Sequence, residues 1–336
     1  MPVGLKIPVD QGIPWRSTVT DWGYATGWMV VRALPEFVAR AAFNAGARYA
    51  ARNGGPIQLR KNLARVLGVA PAEVPDTLLR ASLASYARYW REVFRLPAMD
   101  HRMLARRLHD SVAGKEHLDA ALAAGRGAVL ALPHSGNWDM AGVWLVQTHG
   151  PTTTVAERLK PESLYRRFIA YREGLGFEVL PLSGGKRPPF ELLSERLRDN
   201  RVVCLMAERD LTRAGVRVDF FGEPTRMPAG PAKLAIDTGA ALLPVHCWFE
   251  DSRHHEGWGF EVFPALDCAS GDVGVITQAL ADRFAKNIAA HPADWHMLQP
   301  QWLADLSQPR DEAGRNGPRR DWAIGPDEGR AGLGDT

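Results

Sequence analysis

From Ala128 to Ala290 short apolar runs alternate with amphipathic stretches of 10–15 residues, and this rhythm restricts the fold more than any other feature. The runs at 128–132, 152–156, 177–182, 202–207, 241–249 and 258–264 have strand length and strand composition. The segments 138–148, 161–174, 190–199, 229–238 and 272–290 carry helical spacing. Strands joined through helices pair in parallel, because the crossover returns the chain to the same end of the sheet. The expected fold class is therefore α/β, a mostly parallel central sheet flanked by helices. With 46% apolar residues in 336, one core is enough and nothing forces two domains. Residues 1–305 read as one domain, helical over 21–110 and α/β over 115–305. Residues 308–336, rich in Gly, Pro, Arg and Asp, read as a disordered tail.

Within that frame the stretch Leu130-Ala-Leu-Pro-His134-Ser-Gly-Asn-Trp-Asp139 carries the most chemistry. Pro133 ends the strand, and Ser135-Gly136-Asn137 supplies a turn and a helix cap. His134 thus falls just past the carboxyl end of a strand, where open α/β sheets bind ligands. Asp139 could reach back to one imidazole nitrogen and leave the other as a general base. Glu208 ends the strand 202–207, so parallel strands would bring it to the same edge. Three successive charges there, Glu208-Arg209-Asp210, are unusual for purely structural residues, the alternative being an ion-pair knot in the next loop. On the residues alone Asp139 and Glu208 compete to orient His134.

The segment His134-Ser-Gly-Asn-Trp-Asp139 resembles the signature of the bacterial lipid A biosynthesis acyltransferase family, the lauroyl/myristoyl transferases. Its actinobacterial branch acylates phosphatidylinositol mannosides. The general His-x4-Asp form is shared with glycerophospholipid acyltransferases, whereas the Gly-Asn-Trp filling is more particular. Glu157-Arg-Leu-Lys-Pro161, Arg226-Met-Pro-Ala-Gly-Pro231 and Pro300-Gln-Trp302 resemble further family segments, so the likeness spans about residues 20–305. It implies that Glu208 pairs with His134 as the catalytic dyad, since mannoside-acylating members carry a glutamate at this point. Asp139 then belongs to the acceptor side, with Glu157, Arg172, Arg209 and Asp210 as further substrate-binding candidates. Arginine suits a sugar-phosphate headgroup because its fork matches phosphate bidentately. The implied reaction moves a long acyl chain, palmitoyl by expectation, from acyl-CoA to a mannose hydroxyl of phosphatidylinositol mannoside. No cofactor or metal is implied beyond acyl-CoA as co-substrate. Lipid A precursor or a lysophospholipid is the alternative acceptor, and a non-catalytic lipid-binding protein the alternative class.

Other features bound the reading. Net charge is only +3, and no nucleic-acid partner is expected. Of the 41 basic residues 34 are arginine, which with the abundant alanine and glycine points to high-GC coding and not to chemistry. Cys204, Cys247 and Cys268 are odd in number and widely spaced, fitting a reducing cytoplasm. Met1 to Pro14 lacks signal-peptide layout, and no apolar run is long enough to span a bilayer. Trp22, Tyr24, Trp28, Phe37 and Phe43 alternate with Arg32, Arg40, Arg48 and Arg52, the composition of an interfacial helix pair split at Pro35 or, equally, of amphipathic helices covering the core. A peripheral position on the cytoplasmic face of the plasma membrane follows as an expectation. Arg88, Arg91 and Arg95 beside Tyr86, Tyr89 and Trp90 read as core plus a solvated face, or as a contact for acidic lipid. No Gly-x-Ser-x-Gly, Walker or Gly-x-Gly-x-x-Gly motif occurs. His254-His255-Glu256 reads as a solvated loop.

Overall fold

The computed structural model describes residues 29–158, 162–210, 214–251 and 256–306. The expectations for Trp22, Tyr24 and Trp28, for His254 and His255, and for the tail 308–336 lie outside the described residues.

Residues 29–33 are helical, and Pro35 separates them from α1 (Glu36–Ala50). Three more helices follow before the sheet: α2 (Ile57–Leu67), α3 (Asp76–Arg95) and α4 (His101–Leu108). Leu59 and Leu63 of α2 lie one turn apart and bury against Leu79 and Leu83 of α3, a small core of its own. The α/β part then runs β1 (Val112–Ala113), α5 (Lys115–Ala123), β2 (Ala128–Leu132), α6 (Trp138–His149), β3 (Thr152–Ala156) and α7 (Glu162–Gly174). It continues with β4 (Phe177–Pro181), α8 (Pro189–Arg198), β5 (Val202–Met206), β6 (Val216–Phe220), β7 (Glu223–Met227) and α9 (Gly230–Thr238). The last elements are β8 (Ala241–Asp251), β9 (Glu256–Val262), α10 (Val273–Ala290) and a short α11 (Leu303–Leu306).

Seven strands form one sheet in the order β1-β9-β8-β2-β5-β3-β4. All pairs are parallel except β8 with β9, a hairpin with Val245 opposite Val262. In β2 the period of two splits the side chains between both faces. Val129 and Ala131 join Val203, Leu242, Phe284 and Ile288 on one face. Leu130 and Leu132 join Met140, Val143, Leu243 and Phe260 on the other, beneath α6. Two-sided burial is why this strand reads as a continuous apolar run. The pair β6–β7 is an addition to the expected layout. The sequence reading assigns no strand between 207 and the helix at 229, whereas Val218, Phe220, Thr225 and Met227 bury one face of a two-stranded ribbon.

The arginine stripe also lands elsewhere than expected. Arg88, Arg91 and Glu92 of α3 are buried, and Arg88 Nε donates to Glu92 Oε1 at 2.7 Å. Arg91 pairs with Glu256 of β9 and with Glu36 of α1, and Arg95 Nε with Glu36 at 2.9 Å. Arg40 joins Glu256 at 3.1 Å, so the network ties α1 to α3 and the sheet. Core ion pairing replaces the solvated face because three carboxylates from three elements meet the stripe. Among the described residues no helix is long and apolar enough to cross a membrane.

Candidate active site

The register Leu132↔Met206 brings the carboxyl ends of β2 and β5 side by side, and each strand delivers one site residue just beyond its end. His134 Nδ1 lies 2.6 Å from Glu208 Oε1, and the His134 backbone N–H donates to the same oxygen at 2.7 Å. The double contact fixes both the ring and the main chain of His134 on one carboxylate. Glu208 is fully buried, whereas the His134 side chain is 37% exposed. Burial pushes the Glu208 carboxyl up, but the His134 charge and the two hydrogen bonds outweigh it and hold it below the usual carboxylate value. The anion therefore accepts the Nδ1 proton, and Nε2 is left as the basic nitrogen of the ring.

The loop between is held from several sides. Gly136 has φ +54°, and a Cβ there would come within 2.6 Å of the Cys247–Trp248 peptide, so only glycine allows this close approach. Asn137 caps α6 by accepting from Met140 N at 3.1 Å, as expected of an Asn before a helix. Its Nδ2 donates to Glu92 Oε2 at 2.6 Å, an oxygen that also accepts from Trp258 Nε1 at 2.9 Å. The segment 294–302 crosses the loop from the other side. Gly136 N donates to Asp294 O, and His296 N donates to His134 O at 2.8 Å. Gln301 Nε2 donates to the Glu208 carbonyl, and Trp302 Nε1 donates to Phe220 O. Burial, with the His134 charge, pushes the His296 imidazole down to about 3, so it is neutral; Ser85 Oγ sits 2.9 Å from its Nε2 and donates to Asp294 at 2.6 Å.

Asp139 does not reach His134. Its carboxylate accepts from Tyr89 OH at 3.0 Å and faces Arg172 Nε at 3.4 Å, and it is buried on the first turn of α6. The carboxylate at Nδ1 is that of Glu208, so the competition left open by the residues resolves geometrically. The helical direction explains it: a first-turn side chain of α6 points at α3 and α7, not back across the turn. Asp139 and Arg172 line a narrow apolar cavity beneath α6. Each strand of the main sheet contributes to its lining, from Val112 of β1 through Leu130 of β2 and Cys204 of β5 to Phe177 of β4. Burial pushes the Cys204 thiol up to about 12, which keeps it protonated in this cavity.

The remaining candidates divide. Glu157 and Arg209 both stand half-buried after β3 and β5 and feel each other's charge. Burial raises the Glu157 carboxyl against the Arg209 charge, and lowers the Arg209 guanidinium against the charges of Glu208 and then Glu157. Asp210 accepts from Gly215 N at 2.6 Å and its own N–H donates to Arg226 O, closing the loop to β6. Arg226 returns a bond to Gly215 O at 2.9 Å, so the Arg226 block builds this loop. Sequence reasoning passes over Glu92, Asp294 and His296, and takes in Gln301 only as part of the Pro300-Gln-Trp302 segment. The one local signal is polarity inside apolar helical spacing, as at Glu92 three residues after buried Tyr89.

The family described as bacterial lipid A biosynthesis acyltransferase matches residues 13–304. A phosphatidylinositol mannoside acyltransferase of Mycobacterium tuberculosis (strain ATCC 25618 / H37Rv) is 77% identical over 307 residues, covering 91% of this chain and 96% of the relative. The protein of the same name from Mycolicibacterium smegmatis (strain ATCC 700084 / mc(2)155) is 74% identical over 298 residues, 89% and 96% of the two chains.

Proposed function

The chain belongs to the bacterial lipid A biosynthesis acyltransferase family and is an acyltransferase, and from that premise we propose that its acceptor is a phosphatidylinositol mannoside and its donor a long-chain acyl-CoA, palmitoyl-CoA in the first instance. The observation that carries the reading is the His134–Glu208 pair, two residues beyond Leu132 and Met206, which line an apolar cavity.

His134 Nε2 takes the proton of a mannose hydroxyl as its oxygen attacks the thioester carbonyl carbon. Glu208 holds Nδ1–H, orients the ring and stabilises the imidazolium. Collapse of the tetrahedral intermediate breaks the C–S bond, and the imidazolium returns its proton to the departing CoA thiolate. The ester forms in one transfer, since the acceptor oxygen that His134 deprotonates attacks the thioester directly and no cysteine or serine is placed as an acyl carrier. The apolar cavity takes the acyl chain, while Glu157 and Arg209 face the polar headgroup side. Asp139 and Arg172 neutralise one another at the cavity wall and keep it rigid. The membrane reading rests on the N-terminal helices, where Phe37 is 74% exposed beside Arg40 and Arg48.

The test is thiol release from palmitoyl-CoA by purified protein with phosphatidylinositol mannoside, with lipid A precursor, and with neither. Release with the mannolipid alone supports the proposal. Release with lipid A precursor alone keeps the mechanism and replaces the acceptor. Absence of release in every arm rejects acyl-CoA as donor.

A further inference from the structure

The turn that carries His134 rests on the middle of β8. The backbone ladder between β2 and β8 ends at the pair Ala131↔Pro244, and beyond it a side-chain bond rejoins the two segments. His246 Nδ1 lies 3.2 Å from Ser135 Oγ, and both residues are buried. Side chains alternate along β8, so Val245 and Cys247 join the apolar face under α6 while His246 and Trp248 face the other way. Trp248 is paired with Gly259 of β9, where a Cβ would run into the indole. His291, just after α10, stacks on Trp248 at 4.7 Å and 15°, and His246 stacks on the same indole at 5.6 Å and 21°. The stack holds the plane of the His246 ring. Asp294 completes the support: its carbonyl accepts from Gly136 N, and its carboxylate accepts from Phe249 N at 3.0 Å.

Among the described residues His246 Nε2 is buried without a hydrogen bond, so the polar capacity of the ring goes to Ser135. A buried imidazole costs desolvation that a leucine of similar size would not. What the polar ring adds at this place is the bond to Ser135. We propose that His246 is a positioning residue for the transfer, holding the Ser135 hydroxyl so that the turn keeps the His134 imidazole on Glu208. The inference rests on the acyl-transfer reading above and adds a residue that acts through Ser135 and not on the substrate. Ser135 follows His134 directly, so a turn that slips at Ser135 moves the His134 peptide. The His134 N–H and Nδ1 share one Glu208 oxygen, at 2.7 and 2.6 Å, and a slip loosens both bonds together. Displacing a reacting group by about 1 Å costs as much as about 100-fold in rate.

The experiment measures thiol release from palmitoyl-CoA with phosphatidylinositol mannoside by the full chain and by His246→Leu, Ser135→Ala, the double variant and His246→Asn. His246→Leu and Ser135→Ala each lower kcat by about 10- to 100-fold at unchanged KM. The double variant falls no further than either single one, because all three lack the same bond. His246→Asn, whose amide offers a donor and an acceptor near the place of Nδ1, recovers most of the rate. Ser135→Ala removes one oxygen and keeps the test open should His246→Leu fail to fold. A second readout needs no turnover: the low-field proton resonance of His134 Nδ1–H on Glu208 is sharp in the wild type and in His246→Asn, and broadened by exchange in His246→Leu and Ser135→Ala. Wild-type kcat in both single variants overturns the proposal, whether or not their melting temperatures fall, and so do losses that multiply in the double variant. A wild type that releases no thiol rejects the acyl-transfer reading, and the resonance then decides the positioning role separately: unaltered in the variants it overturns that role, broadened it upholds it.

Discussion

At the scale of the residue, the two carboxylates near His134 answer to different measurements. Glu208 serves the ring, so Glu208→Gln leaves the loop in place and removes the charge that stabilises the imidazolium. Thiol release is expected to fall by about 10²- to 10⁴-fold, with a melting temperature close to wild type; His134→Ala falls at least as far. Asp139 meets Tyr89 and Arg172 in place of the ring. Asp139→Asn strips the partly buried Arg172 of its counter-charge, and losing a hydrogen bond between charged groups costs about 1.5–3 kcal/mol. A melting curve lowered by several degrees is the expected result, and an Asp139→Asn protein as stable as wild type would show the ion pair to be incidental. The pH response separates from both. His296 and His246 are each pushed down to about 3 by burial first, with the charges of His134 and His291 adding, so neither gains a proton above pH 5. Replacing His246 by Gln is expected to leave the shape of the pH–rate curve between pH 5 and 9 unchanged; a shifted limb would place His246 in the titration.

Elements are joined by polar contacts that the chain order hides. Glu178 of β4 accepts from Arg196 of α8 at 2.7 Å and pairs with Arg201, just before β5, at 3.1 Å. These bonds, Arg196 foremost, bring its carboxyl down to about 2 from the usual 4.5. The sign follows from the depressed folded value. The clasp contributes in full above about pH 4.5 and is lost as pH falls toward about 2, a change of the order of 2 kcal/mol. Glu178→Gln should therefore melt lower at pH 7 and converge with wild type near pH 2; a constant gap across that range would refute the linkage. Glu92 joins α3 to the cap of α6, and Glu92→Gln should lower kcat about tenfold with KM unchanged, since Asn137 loses its charged partner but no substrate contact changes. The strand and helix boundaries were legible because periods of two and 3.6 are local. His134 and Glu208 were legible as residues of one sheet edge for the same reason, as each follows an apolar strand. On the residues alone Asp139 competed with Glu208, and only the resemblance implied the pair. The β6–β7 ribbon was not legible, since Glu223, Pro224 and Arg226 mask a buried face of only Thr225 and Met227. Nor were bonds such as Asn62 to the carbonyls of Met297 and Gln299, where 235 and 237 residues separate the partners and no local pattern marks them.

Across the whole molecule, helices α1 to α3 stand between the outer surface and the His134 loop, and aromatic rings link the two. Phe43 of α1 meets Phe94 of α3 at 6.2 Å, Phe94 meets Trp90 at 5.6 Å, Trp90 meets Tyr89 at 5.3 Å, and Tyr89 meets Trp138 at 4.2 Å. Trp138 touches the ring of His134 edge-on at 5.3 Å. A lipid acceptor leaving a bilayer held at α1 would meet continuous apolar contact toward the site. The position of the membrane is the point to test, and α1 allows it without disturbing the core. Phe37 is 74% exposed and Arg48 lies in the last turn of the helix, so Phe37→Asp with Arg48→Glu changes surface residues whose substitution costs at most about 0.5 kcal/mol of stability. Each basic residue near an anionic surface contributes about 1 kcal/mol, so reversing one and charging the apolar anchor should weaken co-sedimentation with acidic vesicles by at least tenfold. Binding by the wild type should fall as salt rises, because a contact of this kind is screened. Thiol release with a water-soluble mannoside acceptor should stay at the wild-type rate in the double variant, since neither residue touches the His134 loop. Undiminished vesicle binding would move the membrane contact away from α1, and loss of soluble turnover would show that the helix acts on the site directly.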